Sequence, residues 1–397
     1  MVGPLAGFRV LDLSTVIAAP FAAALLGDYG AEVIKIELPG RGDPLRALEP
    51  TFAGRSLYWS VLGRNKYAIT LDLRQARGRD LFLRLVSRAD VLIENFRPGT
   101  LERWGLGEDT LHGVHPDLVL VRVSGYGQDG PYRDKAGFGT PAAALGGLTY
   151  ITGYPDRAPV SVPIALADYL AGLFGALGAV SALLERERHH QGGQSIDVSL
   201  YESIFRLMEA IVPRYGKLGR VHERMGNHTG QSMPIGVYGT ADGRWLVLSV
   251  STAPIWERMA RAMGHSEWLA DPRFASNAER IRHTGAVDEA IGGWFAAHTA
   301  ADGQRILDEA GVPVAPVNSM ADIFADPHYE ARGDIVAPED AELGAVPMPN
   351  VVPRFSRTPG EVRFAGPTLG EHNAEIYGRL LGLTADELQA LNQEQVI

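Results

Sequence analysis

Residues 8 to 37 read FRVLDLSTVIAAPFAAALLGDYGAEVIKIE, and this stretch decides the fold. Phe8–Leu13 is a short apolar run of strand length. Pro20–Tyr29 has helical spacing and is closed by Gly30, and Ala31–Glu37 is a second apolar run. A strand, a helix and another strand in so short a span make a βαβ unit. Working outward, Tyr67–Leu73, Asp90–Glu94 and Leu118–Val123 repeat the strand pattern, with a helix over Ala76–Arg88. Strands this rich in Val, Ile and Leu, separated by helices, predict a parallel sheet covered on both faces. The fold class is therefore α/β, a doubly wound parallel sheet whose ligands lie beyond the carboxyl ends of the strands.

The pattern changes after the fifth strand. Gly125–Pro163 is rich in Gly and Pro and reads as loop. A long helix is predicted from about Asp168 to His189, then a strand at Ser195–Ser199 and another helix. Ile235–Val250 reads as a hairpin turning at Asp242-Gly243. Helices follow around Pro254–Met263, Val287–His298 and Ala301–Ala310, and again over Gly370–Leu381 and Ala385–Asn392, beyond a Pro-rich stretch at 334–359. A chain of 397 residues is long for one core. The expected division is a large domain over 1–200, a linker over 201–231, a smaller α+β domain over 232–325, and a return over 326–397 that completes the large domain.

Composition excludes several classes. The sequence has no cysteine, which removes disulfides, thiol nucleophiles and thiolate metal sites and suits a reducing, cytoplasmic setting. The first residues carry no basic segment followed by an apolar one, so no secretory signal is expected. No run reaches the roughly 20 apolar residues of a membrane span, and Tyr169–Leu184, the most apolar, is expected to be a buried helix. A net charge of −10 argues against nucleic acid. Residues 1–135 hold 17 basic and 16 acidic side chains, whereas the remainder holds 20 and 31. The first third is thus spared negative charge, as a site for an anionic ligand would be.

Few residues carry candidate chemistry. Gly125-Tyr-Gly-Gln-Asp-Gly130 has the spacing of a dinucleotide fingerprint, but Pro131 to Lys135 follow where a helix should open, so a tight turn is the better reading. His112 and His115 lack a third metal ligand and read as surface residues, and His189-His190 fit a helix C-terminus. Asp168 stands before a helix containing Gly172, Gly175 and Gly178. It suits an N-cap, and it equally suits a nucleophile held anionic by the helix end. Glycine inside a helix costs about 1 kcal/mol against alanine, so three of them point to close approach by a backbone or a ligand.

Several stretches together resemble the class III CoA-transferases, the L-carnitine dehydratase/bile-acid-inducible group that includes formyl-CoA transferase. They are Leu5–Leu13, Gly30–Glu37 with Gly42-Asp43, Asn65-Lys66 with Leu71–Leu73, Asp90–Gly99, Ser124–Tyr132, Asp168 with its helix, Gly311–Pro316 and Leu369–Asn373. The resemblance implies a Rossmann-like large domain with a small one, in a homodimer of interlocked, ring-like subunits. It places the nucleophile on Asp168. It places coenzyme A contacts on Val16, Ile17 and Ala18, on Leu71 and Arg74, on Asn95, Phe96 and Arg97, on Arg103, and on Lys135, Ala136, Gly137, Phe138 and Gly139. Coenzyme A and its thioesters enter as substrate, with no permanently bound cofactor, no metal, and no nucleic-acid or membrane partner. The implied reaction moves coenzyme A from an acyl-CoA to a free carboxylic acid through an Asp168 anhydride and an aspartyl-CoA thioester.

Ile17, Leu38, Gly139 and Ala143 stand where several members carry polar or acidic side chains, which argues against oxalate and for a larger or more apolar acid. Two other readings use the same fold. An α-methylacyl-CoA racemase needs a histidine where this chain has Phe138 and an aspartate at Gly139. A non-catalytic CoA-binding protein would bind without turnover.

Overall fold

The structure is a computed structural model that describes residues 3–397. Two compact units emerge. The first comprises Met1–Thr149, Val162–Leu218 and Ala331–Ile397, and the second Tyr150–Ser161 and Gly219–Glu330.

The first unit is built on six strands: β1 (Arg9–Asp12), β2 (Glu32–Glu37), β3 (Lys66–Thr70), β4 (Val91–Glu94), β5 (Val119–Ser124) and β6 (Ser195–Ser199). All pair in parallel, in the order β3-β2-β1-β4-β5-β6. This is a doubly wound order that reverses between β1 and β4. Alternate residues point to opposite faces. Val10, Val33, Val91, Ile93, Val119 and Val121 pack on one face with helices α1 (Ala18–Asp28) and α4 (Leu166–His189). Leu11, Ile34, Ile69, Leu92 and Leu120 pack on the other, against α2 (Ala76–Val86) and the terminal helices Asn373–Leu381 and Ala385–Gln393.

Three expectations are corrected in this unit. The stretch 125–163 is not all loop, because α3 (Gly139–Leu145) and a short turn of helix, Leu148–Ile151, form within it. Ala142 of α3 is fully buried, so packing rather than periodicity holds so short a helix. Helix α4 begins at Leu166, not Asp168. Ala165 is its cap, without a side-chain bond, and Asp168 is the third helical residue. The N-cap role is therefore excluded.

Helix α4 also explains its glycines. A Cβ at Gly172 would lie 2.5 Å from the Ala18 carbonyl oxygen and 2.9 Å from Phe21 Cδ1, and one at Gly178 would lie 3.0 Å from Ile196. The close neighbour of Gly172 is α1, and that of Gly178 is a side chain of β6. The opposite side of α4 is not buried as expected, because Leu173, Leu177 and Leu184 are each more than half exposed. By length and composition alone α4 meets the criteria for a membrane span, yet 44% of its most apolar window is buried in the protein. Helix α5 (Leu200–Phe205) and a helix at Ile211–Leu218 follow β6.

The second unit holds an antiparallel sheet of β7 (Ile235–Gly239), β8 (Trp245–Ser249) and β9 (Val314–Pro316), with β8 central. The hairpin turns at Asp242-Gly243, with Gly243 at φ +74°. Helices α6 (Ala253–Ala262), α7 (Thr284–Ala296) and α8 (Ala300–Glu309) cover it around Trp256, Trp294 and Phe295.

Gly172→Ala is expected to destabilise the protein by about 1–3 kcal/mol, because its methyl meets backbone and an aromatic ring. Gly113→Ala, where a Cβ meets nothing within 4 Å, should not. Urea denaturation of both variants checks this.

Candidate functional site

Strands β1 and β4 are neighbours whose chains depart in different directions, so a crevice opens above them. Asn95 clamps its mouth. Its Oδ1 accepts from Thr15 N at 2.8 Å, and its Nδ2 donates to the Thr15 carbonyl at 2.7 Å. The next residue, Val16, has φ +67°, a left-handed conformation that a β-branched side chain rarely adopts. The cost, of order 1–3 kcal/mol, must be met by surrounding contacts. Asp43 supplies one: its Oδ1 accepts from Val16 N at 3.0 Å and from Leu45 N at 2.9 Å.

Asp43 belongs to a fully buried ionic network. Lys35 Nζ lies 2.9 Å from Asp43 Oδ2 and 3.6 Å from Asp12 Oδ1, and it donates to the Ser14 carbonyl. Lys66 Nζ donates to Asp12 Oδ2 at 2.8 Å and to the Pro20 carbonyl at 2.7 Å. Burial alone would raise the Asp12 pKa, but Lys35 and Lys66 outweigh it and hold the group at about 2. Burial likewise works against Lys35, and Asp12 and Asp43 overcome it, raising its pKa. On the other wall, Glu94 Oε2 accepts from Phe96 N at 2.7 Å while Arg122 holds Oε1 at 2.8 Å.

Two adjoining clefts share Thr15 and Phe96. The first, of about 260 Å³, brings together Val16, Ile17, Ala18, Asn95, Phe96, Arg97, Lys135, Ala136, Gly137, Phe138 and Asp168. The second, of about 300 Å³, has Leu71 and Arg74 among its lining and Phe96 and Trp104 packed edge to face at 5.2 Å. Arg103 lines neither; it is exposed and donates to Thr100 Oγ1. Sequence reasoning did not single out Ser124, Arg133 or Leu200 in the first cleft, nor Arg41 and Pro44 in the second. The segment from Leu38 to Pro44 follows β2, and the rule that ligands bind beyond strand ends would have found it.

Asp168 is half-buried and, unlike Asp12, Asp28 and Glu94, has no cation beside it. Burial raises its pKa to about 6, and its own backbone N–H offsets this only in part. Its carboxylate abuts Gly139, where a Cβ would overlap Oδ2. A carboxylate tuned to this value is ionised at neutral pH and basic enough to serve as a nucleophile or general base. No histidine lines the cleft. His112 is bonded to the Leu118 carbonyl, and among the described residues no group of three His, Asp or Glu side chains is placed to hold a metal. The Gly125–Gly130 stretch is a turn: Gly127 and Gly130 have positive φ, and Gln128 N donates to Asp197 Oδ2 at 2.8 Å.

A crevice at the reversal point of a doubly wound sheet, ending on a carboxylate of raised pKa, makes a candidate catalytic site. The chain belongs to CoA-transferase family III, whose description matches residues 5–373. It is similar to succinyl-CoA–D-citramalate CoA-transferase of Chloroflexus aurantiacus, 48% identical over 99% of this chain and 98% of that one. It is also similar to succinate–glutarate CoA-transferase of Agrobacterium fabrum, 34% identical over 95% and 96% of the two chains. Among solved structures, a CaiB/BaiF family protein from Brucella suis superposes with a TM-score of 0.86 at 32% identity, covering 96% of this chain and 100% of that one. The protein is thus an acyl-CoA:carboxylate CoA-transferase. The racemase reading loses one of its two bases, since Phe138 stands where its imidazole would be.

Lys35→Met should cost about 3–5 kcal/mol, because it strands Asp43 and weakens Asp12 in a fully buried setting. Chemical denaturation measures it, and a loss below about 1 kcal/mol would mean that charge pairing does not hold the network.

Proposed function

We propose that this enzyme moves coenzyme A from succinyl-CoA to a second four- or five-carbon dicarboxylic acid, with Asp168 as the covalent nucleophile. The observation that carries the reading is the Asp168 carboxylate, partly desolvated, in the cleft formed by the β1 and β4 loops. The nucleotide end of CoA lies in the second cleft, beside Leu71 and Arg74. The pantetheine passes Phe96, and the thioester meets Asp168 near Gly137 and Phe138. Arg97, Arg133 and Lys135 give the first cleft the cations that phosphate or a second carboxylate requires.

An Asp168 oxygen attacks the thioester carbonyl; the C–S bond breaks and its electron pair leaves on the CoA thiolate. The thiolate attacks the Asp168 carbonyl of the mixed anhydride, releasing the donor acid and leaving an aspartyl-CoA thioester. The acceptor carboxylate attacks that carbonyl and expels the thiolate again, which then attacks the acceptor's own acyl carbon. Acyl-CoA leaves and Asp168 is restored. Each step keeps the energy of the thioester, provided water is excluded.

The substrate class follows from the named acids of the two relatives, all dicarboxylates larger than oxalate. The absence of cysteine fits a cytoplasmic enzyme. The assembly is a homodimer joined in part through α4. Leu173, Leu177, Val180 and Leu184 stand at helical spacing on its outer side and are exposed, an apolar stripe that a second copy would cover.

Three outcomes test these statements. Asp168→Ala should lower transfer from succinyl-CoA by about 10³-fold or more. The trapping of a labelled acyl group by hydroxylamine should disappear with it. Because protonation removes the nucleophile, kcat/KM should fall about tenfold per pH unit below a midpoint near 6 and level off above it. Transfer that survives in Asp168→Ala, or an acid limb at the ordinary carboxylate value near 4, rejects the assignment. Finally, light scattering should give twice the 42.8 kDa chain mass for the wild type and the monomer mass for Leu177→Arg.

A further inference from the structure

The loop after β2 presents one charge that the protein itself does not match. Leu38–Asp43 is a tight turn: Gly42 N donates to the Leu38 carbonyl at 2.9 Å, and Gly40 and Gly42 have φ +67° and +69°. Its far end is anchored in buried groups. Asp43 N donates to Glu37 Oε2 at 2.9 Å, and the Asp43 carboxylate faces Lys35 in the ionic network. Glu37 is held in turn by Arg46, through Nε and Nη2 at 2.7 Å each, and the Arg46 guanidinium lies 3.7 Å over the Trp59 ring. Arg41 stands at the tip of this anchored turn and is exposed.

The turn forms one wall of the second cleft, and the charges there leave Arg41 unmatched. Three acids line that cleft, and each has a cation: Glu37 has Arg46, Asp43 has Lys35, and Asp72 has Arg74. Arg74 lines the cleft too, but its Nε and Nη2 are committed to the Asp72 carboxylate at 2.8 Å each. Arg103, which the resemblance places on coenzyme A, lines neither cleft. Among the described residues the Arg41 side chain has no hydrogen-bond, ion-pair or ring partner. A guanidinium offers a planar fork of donors that fits phosphate oxygens two at a time.

We propose that Arg41 is the phosphate-binding cation of the second cleft, where it holds a phosphate of coenzyme A. The inference rests on that cleft receiving the nucleotide end of CoA. The anchored turn distinguishes Arg41 from an ordinary surface arginine. Left-handed glycines on both sides and the buried Asp43 fix where its backbone stands, so binding has only a side chain to order. Asp168 lies in the other cleft, so Arg41 acts on affinity and leaves the chemical steps alone. Coenzyme A carries a diphosphate and a 3′-phosphate, and both present the acceptor oxygens that a guanidinium recognises.

Calorimetry with CoA reads the contact. Arg41→Ala should raise the Kd of CoA by about tenfold at low salt, the scale of one charge-assisted hydrogen bond. The difference from wild type should shrink as the ionic strength rises. Arg41→Lys, which keeps the charge but not the fork, should recover part of the loss. The kcat for transfer from succinyl-CoA should stay within about twofold of wild type. Dephospho-CoA identifies the group: a loss that disappears with this ligand assigns the 3′-phosphate, and one that persists assigns the diphosphate. Equal CoA affinity in wild type and Arg41→Ala, or a loss that salt leaves unchanged, overturns the proposal. Phe96→Ala separates that failure from failure of the reading beneath it, because Phe96 lines both clefts. If Phe96→Ala weakens CoA binding while Arg41→Ala does not, the Arg41 assignment alone is wrong. Unchanged binding in both variants also removes CoA from the second cleft.

Discussion

The rest of the site depends on four charges placed where no water reaches. Asp12, Lys35 and Lys66 come from β1, β2 and β3, which are adjacent in the sheet, and Asp43 comes from the segment after β2. Each ion loses several kcal/mol of hydration on burial, so the group is tolerable only as a balanced set with its remaining donors satisfied. Three of its outward contacts converge on one stretch: the Ser14 and Pro20 carbonyls and the Val16 amide. That stretch turns the chain from β1 into α1. The network is better understood as a device that dictates this turn than as a source of stability. It explains how a valine is held at φ +67° in the wall of the crevice.

The same carboxyl chemistry is used in opposite ways a short distance along the crevice. Asp12 is wholly buried but faces two ammonium groups, and its pKa falls to about 2. Asp168 is less buried, yet no cation appears among the influences on it, and its pKa rises to about 6. Ion pairing makes the first carboxylate an inert structural anion. Desolvation without pairing leaves the second reactive at neutral pH, because its charge is only marginally favoured. The second environment is the one that the proposed nucleophile requires.

What was legible in the sequence was whatever depends on local composition. Strands β1 to β6 were found within one to three residues, because runs of Val, Ile and Leu between helices leave little choice. Asp168 was visible as a residue near a helix start, but cap and nucleophile use the same residue type, and the start at Leu166 removes only the cap. Helix α3 is too short for a period to show. The exposed stripe of α4 was hidden because burial of a slim helix depends on what lies opposite each face. The pairings Gly137 with Gly125 and Gly139 with Asp168 join residues 12 and 29 positions apart, and no spacing rule announces such contacts. Arg41 and Arg133 carry no motif of their own. They belong to the site only because strand ends gather there.

Asp168 faces a problem that hydrogen bonds would solve badly. A nucleophilic carboxylate must point in one direction, and the usual means of fixing a carboxylate is a pair of donors. Every donor stabilises the anion, lowers its pKa and weakens it as a nucleophile, as Asp12 illustrates. Gly172, one turn beyond Asp168, lets α4 lie against the Ala18 carbonyl. Gly139 bounds the carboxylate from the loop side without donating to it. With no side-chain donor or cation pairing it, burial holds the Asp168 pKa near 6, the value that the proposed attack on a thioester requires.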